Sequence, residues 1–386
     1  MGPTAARVFV VTKKLSPFLN ESIVALSIIQ MFLLSTIPAL KVFQMPVELT
    51  LIALLLLGCS TIKLVRWQVF LLSILLIVTT FSIVTTNIVT VMTAAKNNIL
   101  GVLALVYFSK VPFNSKLIFP IFTVTTLLIV VSYIYPESMS PLIAITYFDE
   151  FNESRFGGIF LNAHFNSYFM AIALIYFGQL RYTYGIGGLF AMYLSGSRTQ
   201  LFAYIGQFST TLPATKFLTK HRRKFTFITS LSILAILFLI ITNYFFILNA
   251  IIIDSKMNDN KYNSIIVILE QLGSPGYYNQ LLNPFPSLSS ITDDSLYTRD
   301  VPEVGNTTHY GGNEIGYFAV ATQCGIFLAV AYLIFLLKNA KHYKVFILLS
   351  LLHYTYILSP IGVYMMVEYS RRIELIRNKR AQNLAS

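Results

Sequence analysis

Apolar runs long enough to cross a bilayer constrain this chain more than any other feature. Segments 22–40, 67–86, 117–135 and 225–248 approach or exceed the roughly 20 residues that a spanning helix requires. Inside hydrocarbon every backbone amide needs an internal partner, which leaves helices or a closed barrel. The runs are continuous and lack the alternation of a barrel strand. The sequence therefore predicts an all-α polytopic integral membrane protein. Composition agrees: 55% of the 386 residues are hydrophobic, 11% are charged and the mean hydropathy is +0.68. A soluble domain carries far more charge than that.

The net charge of +12 raises a nucleic-acid partner, and the position of the charge argues against one. Most of the basic residues stand in short connectors, among them Lys13 and Lys14, Lys63 and Arg66, Lys110 and Lys116, Arg181, Lys216 to Lys224, Lys338 to Lys344, and Arg371 to Arg380. The positive-inside rule places such connectors in the cytoplasm. The acids gather instead in 137–153 and 254–314. The charge thus reports topology.

With the basic connectors on one side, about twelve transmembrane helices follow, at 22–40, 47–62, 67–86, 88–108, 117–135, 161–179, 184–196, 199–213, 225–248, 314–337, 345–358 and 360–370. Both termini are then cytoplasmic. Ser359-Pro360 marks a hairpin between the last two helices, and Gly185, Gly187 and Gly188 permit close packing of the seventh. Four regions result: 1–135 with five helices, 136–248 with four more and a first outer loop, 249–313 as a large outer loop, and 314–386 with the last helices and a basic tail. The large loop is polar yet rich in aromatics, and its length points to function. Cys59 and Cys324 both fall in apolar runs, so no disulfide or thiolate site is expected. The first apolar run reads as a retained helix rather than a signal peptide.

Three outer-side clusters could carry chemistry. The first spans Arg155, Gly158, Asn162, His164, Asn166 and Tyr168; the second is Ser195-Gly196-Ser197-Arg198-Thr199-Gln200; the third is His309-Tyr310-Gly311-Gly312-Asn313-Glu314. Arginine on the outer side opposes the positive-inside bias, which singles out Arg155, Arg198 and Arg299. A guanidinium fork suits phosphate or pyrophosphate oxygens, and helix N-termini after Arg155 and Arg198 would favour an anion. Pairing with Asp149, Glu150, Glu153 or Asp300 is the plainer alternative. Histidine accepts protons near neutral pH, and only His164 and His309 face the outer side. Lys96 interrupts the fourth helix, as an intramembrane functional charge or as a lysine facing a wet cleft. Asp293-Asp294 could hold a divalent ion, though loop acids are usually solvated, and Asn306-Thr307-Thr308 fits a common glycosylation pattern.

Together these clusters resemble the bacterial Wzy-type O-antigen polymerases and the related O-antigen ligases. That pattern has an arginine, then glycine and asparagine at the start of a mid-chain helix, like Arg155, Gly158, Asn162 and Asn166. A Ser-Arg-Thr turn follows two helices later, like Ser197-Arg198-Thr199. A large periplasmic loop then ends in histidine and asparagine, like His309 and Asn313. Four positions separate His309 from Asn313, whereas many members have the two adjacent, so Glu314 stands beside His309 as a candidate base. The resemblance covers about 155–337.

The resemblance implies an inner-membrane glycosyltransferase with a periplasmic site. Its donor and acceptor would be oligosaccharides on undecaprenyl pyrophosphate, and a chain-length regulator would be a partner. Arg198, with Arg155 and Arg299, would hold the pyrophosphate; His309 or Glu314 would take the acceptor proton. Asn162, His164, Asn166, Tyr310 and Asn313 would line the substrate path. The single displacement would invert the anomeric centre without metal, nucleotide or other cofactor. The other readings are an O-antigen ligase acting on the lipid A core, a lipid-linked oligosaccharide flippase, and a dolichyl-phosphate type transferase. The 41–48 stretch is too short to house the outer-loop acid of the last.

Overall fold

The computed structural model describes residues 3–34, 38–85, 88–135, 158–160, 163–177, 182–194, 198–211, 320–321, 324–351 and 356–385. Every regular element among them is helical. In order these are α1 (Pro3–Leu34), α2 (Gln44–Ser60), α3 (Arg66–Thr85), α4 (Ile88–Phe108), α5 (Ile118–Ile134), α6 (Ala163–Phe177), α7 (Tyr182–Leu194), α8 (Arg198–Thr211), α9 (Ile326–Asn339), α10 (Lys344–Ser350) and α11 (Pro360–Ala385). Short 3-10 turns occupy Pro38–Phe43, Lys341–Tyr343 and Tyr356–Leu358.

Residue patterning explains the layers. Helix α5 buries Ile118, Phe122, Thr125, Ile129 and Ser132, one face at helical spacing. Helix α2 does the same with Glu48, Leu51, Leu55, Gly58 and Cys59. Three segments are instead buried all round: Leu100–Phe108 of α4, Asn166–Tyr176 of α6 and Ile361–Glu368 of α11. Apolar side chains on every face put a helix in the interior, and α11 packs against both α4 and α6. The outer helices leave large apolar side chains exposed, among them Leu57, Phe70, Leu76, Ile77, Leu127, Phe202, Phe327 and Ile334.

The basic connectors meet at one end of this bundle. Gln68, from the start of α3, donates through Nε2 to Ser109 Oγ (2.8 Å) just after α4, and Trp67 stacks on Phe335 of α9. Arg371 of α11 donates to Phe108 O, at the last residue of α4, and, at 2.9 Å, to Val111 O just beyond it. Arg372 reaches Asn114 (2.7 Å), and Lys341 pairs with Glu374 at 2.7 Å. The shared side expected for 63–66, 110–116, 338–344 and the tail is therefore present as a shared end.

Several boundaries differ from expectation. The first helix was placed at 22–40, yet α1 starts at Pro3 and stops at Leu34. Hydropathy marks what could sit in hydrocarbon, not where helical hydrogen bonding begins, and Pro38 then opens a 3-10 turn instead. The helix expected at 314–337 is interrupted at Gly325, whose φ of 73° suits glycine, and α9 begins just after it. The helix expected at 345–358 stops at Ser350. Pro360 does start the last helix, as proline favours, but α11 runs to Ala385 instead of 370 because its charged half is still rich in helix formers.

No single helix among the described residues is both long and apolar enough to cross a membrane. The bent pair Ile326–Asn339 and Lys341–Ser350, at 102°, has the length and composition together. Of the three glycines expected to allow close packing, Gly188 does so. A β-carbon there would lie 2.7 Å from Leu174 Cδ2 and 2.9 Å from Phe122 Cζ, whereas one at Gly187 would meet open space.

Candidate functional site

Chain direction decides which residues can share a site. Helix α6 ends among the basic connectors, where Tyr176 accepts from Arg372 and Phe119 packs edge-on to Phe177. Its first turn therefore lies about 15 Å away, at 1.5 Å per residue. Helix α7 returns toward that far end, where Phe190 meets Tyr133 from the last turn of α5 (centroids 6.1 Å apart). Only three residues separate Leu194 from Arg198, a reach of roughly 13 Å at most. Helices α6 and α8 pack against each other.

Two of the sequence clusters stand on these packed helices. His164 is the second residue of α6 and Arg198 the first of α8; for both, the helical backbone is what the structure describes. Asn166 is fully buried, and its Oδ1 accepts the Phe160 N–H at 3.2 Å, tying the 158–160 turn onto α6. Gly158 fits because a β-carbon there would sit 2.8 Å from both Asn166 Oδ1 and Thr125 Cγ2. Glycine at this point of the motif is thus a packing requirement. Arg155, Asn162, Arg299, His309, Tyr310, Asn313 and Glu314 lie outside the described residues, as do Asp293, Asp294 and Asn306.

The far half also holds buried polar groups whose surroundings the sequence does not report. Gln200, third residue of α8, is completely buried, and neither of its amide atoms has a hydrogen-bond partner; nor has Asn166 Nδ2. A polar residue on the inward face of a short helix is the one signal that could have marked Gln200. Lys96 resolves toward a packed bundle: its Nζ lies 2.7 Å from Glu48 Oε2 on α2. That contact is an ion pair whose angle falls short of a hydrogen bond. The second Glu48 oxygen accepts from Gln44 Nε2 at 2.9 Å. Cys324 donates to Asn98 Oδ1 at 3.0 Å, and both cysteines are free and buried. No group of three or more His, Cys, Asp or Glu that could hold a metal occurs among the described residues.

Against known proteins, the chain matches no family model, and no curated protein or solved structure aligns with it significantly.

Proposed function

We propose that the chain is an integral membrane glycosyltransferase that polymerises a surface polysaccharide. It transfers a glycan from undecaprenyl pyrophosphate to the terminal sugar of another lipid-linked repeat unit. The observation that supports this reading is the packing of α6 against α8, whose first turns carry His164, Asn166 and Arg198. An arginine at a helix N-terminus on that end suits a lipid diphosphate at the outer leaflet. The membrane setting draws on the large apolar side chains left exposed on α2, α3, α5, α8 and α9, which suit contact with hydrocarbon.

In this mechanism Arg198, with Arg155 and Arg299, binds the pyrophosphate and stabilises charge growing on the leaving oxygen. His309 or Glu314 removes the proton from the acceptor hydroxyl as its oxygen attacks the anomeric carbon. The C–O bond to pyrophosphate breaks in the same step, with inversion, and no metal or cofactor takes part. Asn162, Tyr310 and Asn313 line the sugar path. The site faces the periplasm, both termini stay in the cytoplasm, and a chain-length regulator is a natural partner.

Deleting the gene should leave single-repeat lipopolysaccharide, whereas loss of an O-antigen ligase would leave bare core and loss of a flippase would trap repeat units inside. In complemented cells, Arg198→Ala and His309→Ala should abolish long polymer at normal protein levels. Full-length polymer from both variants would refute the reading. The flippase alternative gains one observation, a second interior charge at Glu48, but its pairing with Lys96 fits a structural role better than a lined path.

A further inference from the structure

We propose that the seam between α3 and α9, at the basic end, binds an anionic phospholipid of the adjoining leaflet. The inference rests on the membrane setting above and is independent of the transferase chemistry. Arg66 opens α3, and Lys338 stands in the last turn of α9. Both are exposed, and neither joins an ion pair among the described residues. The acids described at this end are already engaged. Glu21 accepts from Ser115 and Lys116, Glu368 from Arg371 and Arg372, and Glu374 from Lys341. An aromatic contact joins the two helices next to the free cations. Trp67, which follows Arg66, stacks on Phe335, one turn before Lys338, with centroids 4.8 Å apart, and Phe70 meets Phe335 edge-on at 6.5 Å.

The spacing selects the occupant. Phe70 and Ile77 lie four and eleven positions after Arg66 on α3; Ile334 and Phe327 lie four and eleven positions before Lys338 on α9. Steps of four and eleven keep to one helical face, and all four apolar side chains are exposed. Helix α3 begins at the basic end and α9 finishes there, so each cation heads an apolar stripe about 16 Å long. That is close to half of the roughly 30 Å hydrocarbon core. A phospholipid has this layout, with phosphate at the leaflet surface and acyl chains one leaflet deep. The guanidinium and ammonium groups take the phosphate oxygens, and Trp67 suits the interface that tryptophan favours. A soluble anion would meet the cations and leave the stripes bare. An acidic protein docking from the aqueous side would miss them too, because they run away from that side.

The test titrates the purified full chain in detergent with phosphatidylglycerol, phosphatidylcholine and soluble glycerol phosphate, counting bound molecules by native mass spectrometry. Wild type should bind phosphatidylglycerol about thirtyfold more tightly than phosphatidylcholine, the worth of two cations at an anionic headgroup. It should bind glycerol phosphate far more weakly than phosphatidylglycerol. Arg66→Gln with Lys338→Gln should remove the preference. Lys110→Gln with Arg377→Gln, which takes two exposed cations from the same end but off this seam, should keep it. Phe70→Gln should weaken both lipids and leave their ratio unchanged. Equal loss in the two double variants would mean diffuse attraction across the whole end and would overturn the site. No preference in wild type, or glycerol phosphate held as tightly as the lipid, would overturn it as well. If the seam variant does not fold, Phe70→Gln decides, since unchanged affinity for both lipids would refute the stripe. Solubility of the chain without detergent would overturn the membrane setting and this site together. Failure of the lipid titrations alone would leave that setting and the transferase reading standing.

Discussion

The two ends of the bundle treat polar groups in opposite ways. At the basic end, Glu368 accepts from Arg371 at 2.8 Å, from Arg372 at 3.2 Å and from the Phe113 N–H at 3.3 Å. Arg372 also lies over the Tyr176 ring, 4.4 Å from its centroid. Tyr364 Oη accepts from the Ser115 N–H (2.7 Å) and donates to Phe113 O (3.0 Å), while Glu21 receives Ser115 Oγ at 2.7 Å and the Lys116 N–H at 3.0 Å. At the far end, Asn166 and Gln200 keep buried amide atoms unmatched. A satisfied network fixes one arrangement of helices; unmatched groups cost stability that a ligand can restore. The difference assigns the basic end to holding the fold.

The largest expected effect falls on the clasp. Glu368→Ala would leave two partly buried guanidinium groups without their counter-charge, a loss of about 3–5 kcal/mol. It should appear as a steep drop in thermal midpoint and in monodisperse yield. An unchanged midpoint would erase the contrast between the ends. Next comes Lys96→Met, which strands the buried Glu48 carboxylate and should cost roughly 3 kcal/mol, whereas Glu48→Leu with Lys96→Met together should restore most of it. If the double variant were as unstable as the single, the pair would be more than a structural neutralisation.

Crowding the boundary between the halves should have an intermediate effect. A β-carbon at Gly362 would lie 2.5 Å from the Tyr168 hydroxyl, itself fully buried on α6. Gly362→Ala should therefore cost about 1–3 kcal/mol through overpacking, measured by thermal unfolding, and should weaken binding at the start of α6.

The smallest effect is a pH dependence at the basic end. Burial, with Arg377 and Lys341 nearby, lowers the His342 pKa despite the opposing Glu374. The unfolded chain then takes up a proton first, near its ordinary value of about 6.5. The contribution to stability is complete above that value and declines as pH falls toward the lower folded one. Thermal midpoints read between pH 7.5 and 5.5 should fall slightly more for wild type than for His342→Gln.

Local signals made much of the fold legible and long-range pairings did not. The basic connectors, the start of α11 at Pro360 and the close approach at Gly188 all follow from residues within a few positions. The Glu48–Lys96 and Cys324–Asn98 contacts join residues far apart in sequence, which no periodicity reports. The length of α11 escaped a hydropathy reading because its second half is helical without being apolar. For the site, His164, Asn166 and Arg198 could be read from the motif order. Gln200 falls in the second cluster, but nothing local shows that its buried amide lacks partners.

The account stands on Arg198 as a pyrophosphate-binding group at the start of α8. The direct measurement is in vitro elongation: purified protein, the lipid-linked repeat unit and EDTA, with products resolved by size. Wild type should extend the repeat units into a ladder with chelator present, and Arg198→Ala, folded to the same thermal midpoint, should form none. No ladder from wild type, or an equal ladder from the variant, would contradict the account.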